Sequence, residues 1–191
     1  MSIVANVVTS NVSWVAFDGR AIRDGKIVSE NQVKAEMINP YVCVGYTGVL
    51  EIGKLVVLNL REHIVGISKM KSDTVYTTIR KILPMLKIPE DLYANFIVTG
   101  TNSNGSMATY VFGTKEKESV SVLIPHGKEI RFCHIGETTN VDLGGLIQQE
   151  VMRSSTPENP YLTAMKRFIN EVAKMEISVN SNCRFIEVLK K

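Results

Sequence analysis

The chain has 191 residues, 45% hydrophobic and 21% charged, with a formal net charge of +3. That balance excludes a disordered chain and gives no concentrated basic face for nucleic acid, while the length suits one domain with a real core. No apolar run approaches the roughly 20 residues of a membrane span. Asn6 and Asn11 interrupt the start and no basic segment leads it, so the expected setting is the cytoplasm, with no membrane or nucleic-acid partner.

In chain order, Ile3–Val8 and Val12–Phe17 are β-branched runs around a polar "TSN" turn and read as a hairpin. Asp24-Gly25 and Asn39-Pro40 supply turns, and Tyr41–Tyr46 reads as a buried strand running into glycine. The period then lengthens. Leu50, Leu55, Leu58 and Ile64 stand near helical spacing over 49–65, and a second helix is predicted over 72–85, with Ser72 or Asp73 as its N-cap and Pro84 near its end. Strands return at "NFIVTG", "MATYVFG", "SVSVLIP" and "IRFCHIG". Two helices follow, over 141–153 and 160–174, divided by "SSTPENP", and the chain closes on two predicted strands, "EISVN" and "RFIEVL".

No repeat or linker divides this order, so a single domain over 1–191 is expected. Strands and helices grouped in blocks predict an α+β fold: a four-layer α-β-β-α sandwich of two antiparallel sheets, not a parallel βαβ sheet.

Cys43, Cys133 and Cys183 are widely separated, without a CxxC, and His63, His126 and His134 are also far apart. Cysteines inside apolar runs behave as small hydrophobes. Neither a metal site nor a cofactor is expected.

Ser2, Asp18 and Lys34 stand at equal intervals, each near a strand or turn boundary. Spacing alone says little, because Asp-Gly is a common turn pair and a lone lysine usually faces solvent. The residues between them say more. From Ser2 to Gly48 the chain resembles proteasome β-subunits and the peptidase subunits of bacterial ATP-dependent two-component proteases. "FDGRA" is similar to that family's aspartate–small–Arg–Ala turn, and "VKAEMINPYVCVGYTG" to its lysine segment, "INP" turn and glycine-ended strand. The tail "MEISVNSNCRFIEVL" resembles the family's last strand pair, and the middle agrees in element order.

The resemblance implies an N-terminal nucleophile hydrolase fold and its chemistry. Ser2 would attack once Met1 is removed, which a small second residue permits, and its own α-amine would be the general base. A free α-amine ordinarily titrates at about 7.7–8.0, so no histidine is needed. Lys34 would be a buried cation favouring the developing alkoxide, Asp18 would hold Lys34, and the Gly48 N–H would stabilise the oxyanion. Arg20 is read equally well as structural or as part of the site.

Ala21, Tyr46 and Leu50 fall where the family lines its first specificity pocket, with core packing as the plain alternative. Ile22 replaces the family's threonine and would leave only backbone contacts to substrate. Serine stands where threonine is usual, Glu137 replaces a supporting serine, Glu176 stands for an aspartate of the site, and Val179 for a further serine. A peptide or unfolded protein is the implied substrate, a homo-oligomeric ring the implied assembly, and an unfolding ATPase an implied partner. The alternatives are a non-catalytic structural subunit and a small-molecule amidase of the same fold.

Overall fold

The first 17 residues show how the fold is assembled. The computed structural model describes residues 2–63, 65–115, 120–136, 140–153 and 158–191. Met1, Ile64 and Glu137 lie outside that set, as do residues 154–157 of the "SSTPENP" loop. Strands β1 (Ile3–Val8) and β2 (Val12–Phe17) form the expected hairpin, with Val4 opposite Phe17 and Val8 opposite Ser13. Thr9 closes the turn, its N–H donating to the Val12 carbonyl at 2.8 Å. β1 is buried along its whole length, which requires cover on both faces of its sheet.

The following elements provide it. They are β3 (Ala21–Arg23), β4 (Lys26–Ser29), β5 (Ala35–Asn39), β6 (Val42–Gly48), helices α1 (Leu50–His63) and α2 (Ser72–Ile82), then β7 (Ala94–Thr101) and β8 (Met107–Gly113). After them come β9 (Ser121–Leu123), β10 (Arg131–Gly136), α3 (Leu143–Met152), α4 (Pro160–Met175) and β11 (Arg184–Leu189). One sheet has the order β10-β1-β2-β11, the other β5-β6-β7-β8-β9, and all their pairings are antiparallel. β3 and β4 form a separate hairpin around Asp24-Gly25, both at positive φ.

Three apolar clusters make four layers of these parts. Val44, Tyr46, Phe96 and Val98 pack against Val56, Leu60, Val75 and Ile79 of α1 and α2. Ile3, Ala5, Trp14 and Ala16 pack against Ile147 of α3 and Phe168 and Ile169 of α4. Between the sheets, Val4, Val8, Val15 and Phe17 meet Cys43, Ile97 and Met107. A fully buried Val, Ile or Phe contributes about 1.5–3 kcal/mol, so the alternation along β1 and β2 supplies two of the three cores at once. The α-β-β-α expectation holds.

Several local expectations need correction. "EISVN" is not a strand: Glu176 ends α4, its N–H donating to Val172 O at 2.9 Å, and Val179 N–H turns back to Glu176 O at 3.0 Å. The polar side chain of Asn180 is used in tertiary contacts, described below, that a ladder would not allow. Neither Ser72 nor Asp73 caps α2; the N-cap is Lys71, without a side-chain bond. Ser72 Oγ instead donates to Gly100 O at 3.1 Å, and Asp73 accepts from Ser103 N–H at 3.0 Å. α2 stops at Ile82 and continues as a 3-10 turn, Leu83–Leu86, containing Pro84. Among the described residues of "SVSVLIP", which leave out Ser119, the strand covers Ser121–Leu123 alone. The segment before Tyr41 holds three short strands, with the expected turn at Asp24-Gly25 between the first two.

Candidate active site

The hairpin register brings residue 18 beside residue 3, at the point where β2 ends and β1 begins. Asp18 N–H donates to Ile3 O at 3.4 Å, and Ile3 N–H donates to Asp18 Oδ1 at 2.9 Å. The aspartate side chain thus continues the ladder where the backbone has turned away. This is why the apolar strand stops at an acid.

Lys34 reaches the same carboxylate from the other sheet. Its carbonyl accepts from Tyr46 N–H of β6 at 2.8 Å, and its Nζ donates to Asp18 Oδ1 at 2.7 Å. Arg20 N–H donates to Asp18 Oδ2 at 2.9 Å. Both side chains of the Asp18–Lys34 pair are wholly buried. Burial pushes the Lys34 ammonium below the ordinary lysine value, and the Asp18 carboxylate opposes that shift by charge and hydrogen bond. The pair joins the N-terminal end of one sheet to the other sheet by a charge-assisted bond.

Ser2 sits at that junction, 3% exposed. Its Oγ is buried and has no hydrogen-bond partner among the described residues, so no direct bond joins it to Lys34 Nζ. Gly48, the last residue of β6, has φ +86, and a side chain there would meet Tyr93 O at 2.4 Å. Only glycine fits both the conformation and the approach.

The remaining expected residues are more dispersed. Tyr46 is wholly buried in the cluster beneath α1 and α2, and its hydroxyl donates to Val33 O at 3.3 Å and Glu36 Oε1 at 3.4 Å. Its ring belongs to the core and meets the site only through the backbone bond to Lys34. Leu50 is half-buried against the same cluster, Ala21 is buried at the start of β3, and Ile22 is half-buried beside it. The Glu176 carboxylate makes no hydrogen bond to Ser2, Asp18 or Lys34; the residue acts through its backbone as the cap of α4.

The Arg20 side chain is engaged by its neighbours. Its guanidinium lies on Glu30 at 3.1 Å and donates to Ile177 O at 2.6 Å. Asn180 joins the site unannounced: its Oδ1 accepts from Gly19 N–H at 2.8 Å, and its Nδ2 donates to Glu30 O at 3.0 Å and to the Glu30 carboxylate. Asn180 therefore pins the turn that carries Asp18. Nothing in the sequence marks it, because its partners lie 161 and 150 positions away. A cavity of about 640 Å³ lies elsewhere, near the end of α2, lined by Leu83, Pro84, Ile88, Leu92 and Lys115 among others.

The chain matches the crystal structure of eukaryotic HslV from Trypanosoma brucei with a TM-score of 0.61 and 12% identity, over 98% of this chain and 99% of that one. The two share one fold, two antiparallel sheets stacked between pairs of helices. No family model and no curated protein matches the sequence.

Proposed function

We propose that this protein is an N-terminal serine hydrolase acting on peptide or amide bonds. The observation that carries the reading is the wholly buried Asp18–Lys34 pair, fastened to Ile3 N–H and so placed against the residue that bears the Ser2 hydroxyl. An ion pair taken out of water is costly to build and weak evidence of stability in itself. Its place at the first residues of β1 gives it a use.

In this reading Met1 is removed and the freed α-amine of Ser2 takes the Oγ proton. Oγ then bonds to the carbonyl carbon, and the carbonyl π pair moves onto oxygen. The Gly48 N–H stabilises that oxyanion, and Lys34 stabilises the negative charge as it develops on Oγ. Asp18 holds Lys34 in place and takes no proton. Collapse expels the amine, protonated by the α-ammonium; the α-amine then takes a proton from water as it attacks the acyl carbon, and returns it to Oγ as the ester bond breaks.

Ala21, Ile22 and Leu50 would flank the substrate, with Ile22 contributing backbone contacts, and Glu176 would support the site only through the turn it begins. A homo-oligomeric ring fed by an unfolding ATPase fits the fold, with peptide or unfolded protein as substrate. The alternative is a non-catalytic structural subunit. The absence of a direct Ser2–Lys34 hydrogen bond favours that alternative.

Intact mass and N-terminal sequencing of the purified protein, followed by a β-lactone probe, test the reading. The expected result is a chain beginning at Ser2 that gains one acyl adduct, lost in Ser2→Ala and Lys34→Ala. A chain with a free Ser2 amine that gains none would establish the structural reading instead.

A further inference from the structure

Two wholly enclosed hydroxyls have no protein partner among the described residues: Ser2 Oγ and Thr47 Oγ1. A buried hydroxyl left unpaired is unfavourable, and native interiors seldom keep one without a reason. Thr47 has no place in the scheme above.

Strand alternation sets where it points. On β6, Val42, Val44 and Tyr46 face the helices, whereas Cys43 faces the other sheet. Gly45 lies on the Cys43 side, where an added Cβ would meet Val4 Cγ1 at 2.9 Å. Thr47 shares that side by the two-residue period. On β1, Val4 and Val8 face β6, and Ser2 shares their parity. Lys34 measures the gap: its carbonyl is bonded to Tyr46 N–H, and its Nζ reaches the carboxylate that holds Ile3 N–H. Residues 2 and 47 therefore approach each other across roughly one lysine side chain, between the sheets.

We propose that Thr47 is a positioning residue for the nucleophile, its hydroxyl and Ser2 Oγ sharing one buried water near Lys34. Three polar groups, Thr47 Oγ1, Ser2 Oγ and Lys34 Nζ, are enough to hold such a water. The need arises from the nucleophile itself. A threonine has its χ1 restricted by β-branching, whereas serine turns among three staggered wells. A hydrogen bond relayed from Thr47 selects the well from which Oγ attacks and takes no part in the proton transfers. The inference rests on Ser2 being the nucleophile.

The experiment compares Thr47→Val, Thr47→Ser and the unaltered protein, all with Ser2 freed, for β-lactone acylation rate and urea midpoint. Thr47→Val keeps the shape and removes the hydroxyl. Its acylation should slow about tenfold with an unchanged or higher midpoint, while Thr47→Ser should restore most of the rate. A merely structural threonine would instead lower the midpoint in both variants and leave the rate per folded molecule unaltered, which overturns the proposal. So does wild-type acylation in Thr47→Val. If the unaltered protein itself takes no label, the Ser2 reading fails, and the role of Thr47 falls with it. That outcome is separable because the unaltered protein alone reveals it.

Discussion

Two polar clusters lie between the sheets, both built on β1, and they differ in one respect. At the far end, Asn6 Nδ2 donates to Ser13 Oγ at 2.7 Å, Ser13 Oγ bonds Thr99 Oγ1 at 2.8 Å, Thr99 bonds Thr109 at 2.8 Å, and Thr109 Oγ1 donates to Asn6 Oδ1 at 2.9 Å. The Asn6 carbonyl can only accept, so Thr109 donates to it, and the Thr99 hydroxyl has the Ala108 carbonyl as a further acceptor at 3.4 Å. At the near end, Asp18 and Lys34 are paired, but the Ser2 and Thr47 hydroxyls have no protein partner among the described residues. Equal burial thus has two outcomes. A closed ring locks one sheet against the other, and the open cluster leaves two hydroxyls without a protein partner among the described residues.

The sharpest way to break this contrast is Lys34→Ala. It strands a buried carboxylate and should cost about 3–5 kcal/mol in chemical denaturation, with loss of the β-lactone adduct. Retention of either stability or labelling would remove the ion pair from the account. Asn6→Ala opens the ring at its only amide and should cost roughly 2–3 kcal/mol. Labelling of Ser2 in the folded fraction should be kept, since no hydrogen bond among the described residues joins the ring to the near cluster.

A matched pair of deletions sharpens the comparison further. Ser13→Ala and Ser2→Ala remove the same buried hydroxyl from two surroundings. Loss at Ser13 should destabilise by about 1–2 kcal/mol, whereas loss at Ser2 should leave the urea midpoint unchanged while abolishing the adduct. Equal costs at both positions would mean that Ser2 Oγ is as well satisfied as Ser13.

The smallest effect is in pH. Lys34 is held below its ordinary value in the fold, so between that value and about 10.4 the unfolded chain binds the extra proton. Stability should therefore rise with pH through that window. Below the native value the lysine is charged in both states, and its contribution is flat. Urea titrations of the protein and of an Asp18→Asn/Lys34→Met double variant should show the slope in the former alone.

Much of the architecture is legible in the order of residues, and for a local reason. The alternation in "SIVANVV" and "VSWVAF", the turn pairs and the helical spacing after Val49 depend on neighbours within a few residues. Errors fall where a polar side chain is claimed by a distant partner. Ser72 and Asp73 look like caps but bond Gly100 and Ser103. "EISVN" has strand composition, yet its Asn180 is committed to Gly19 and Glu30. Tyr46 has the look of a pocket wall and is core, because strand parity turns it toward α1 and α2.

The site divides in the same way. Ser2, Asp18, Lys34 and Gly48 stand out in the sequence through their likeness to a known pattern, and a hairpin of that register must bring residues 3 and 18 together. By itself the sequence determines the alternation that gives each strand two faces, the turns that pair them and the block order that makes a sandwich. Only the tertiary structure decided which buried polar groups are satisfied. Asn6 finds Thr109 across 103 positions, Ser13 finds Thr99 across 86, and Ser2 and Thr47 find no protein group among the described residues. A hydrogen bond needs its partner within about 3 Å at the right angle, and that is settled only when two sheets close on each other.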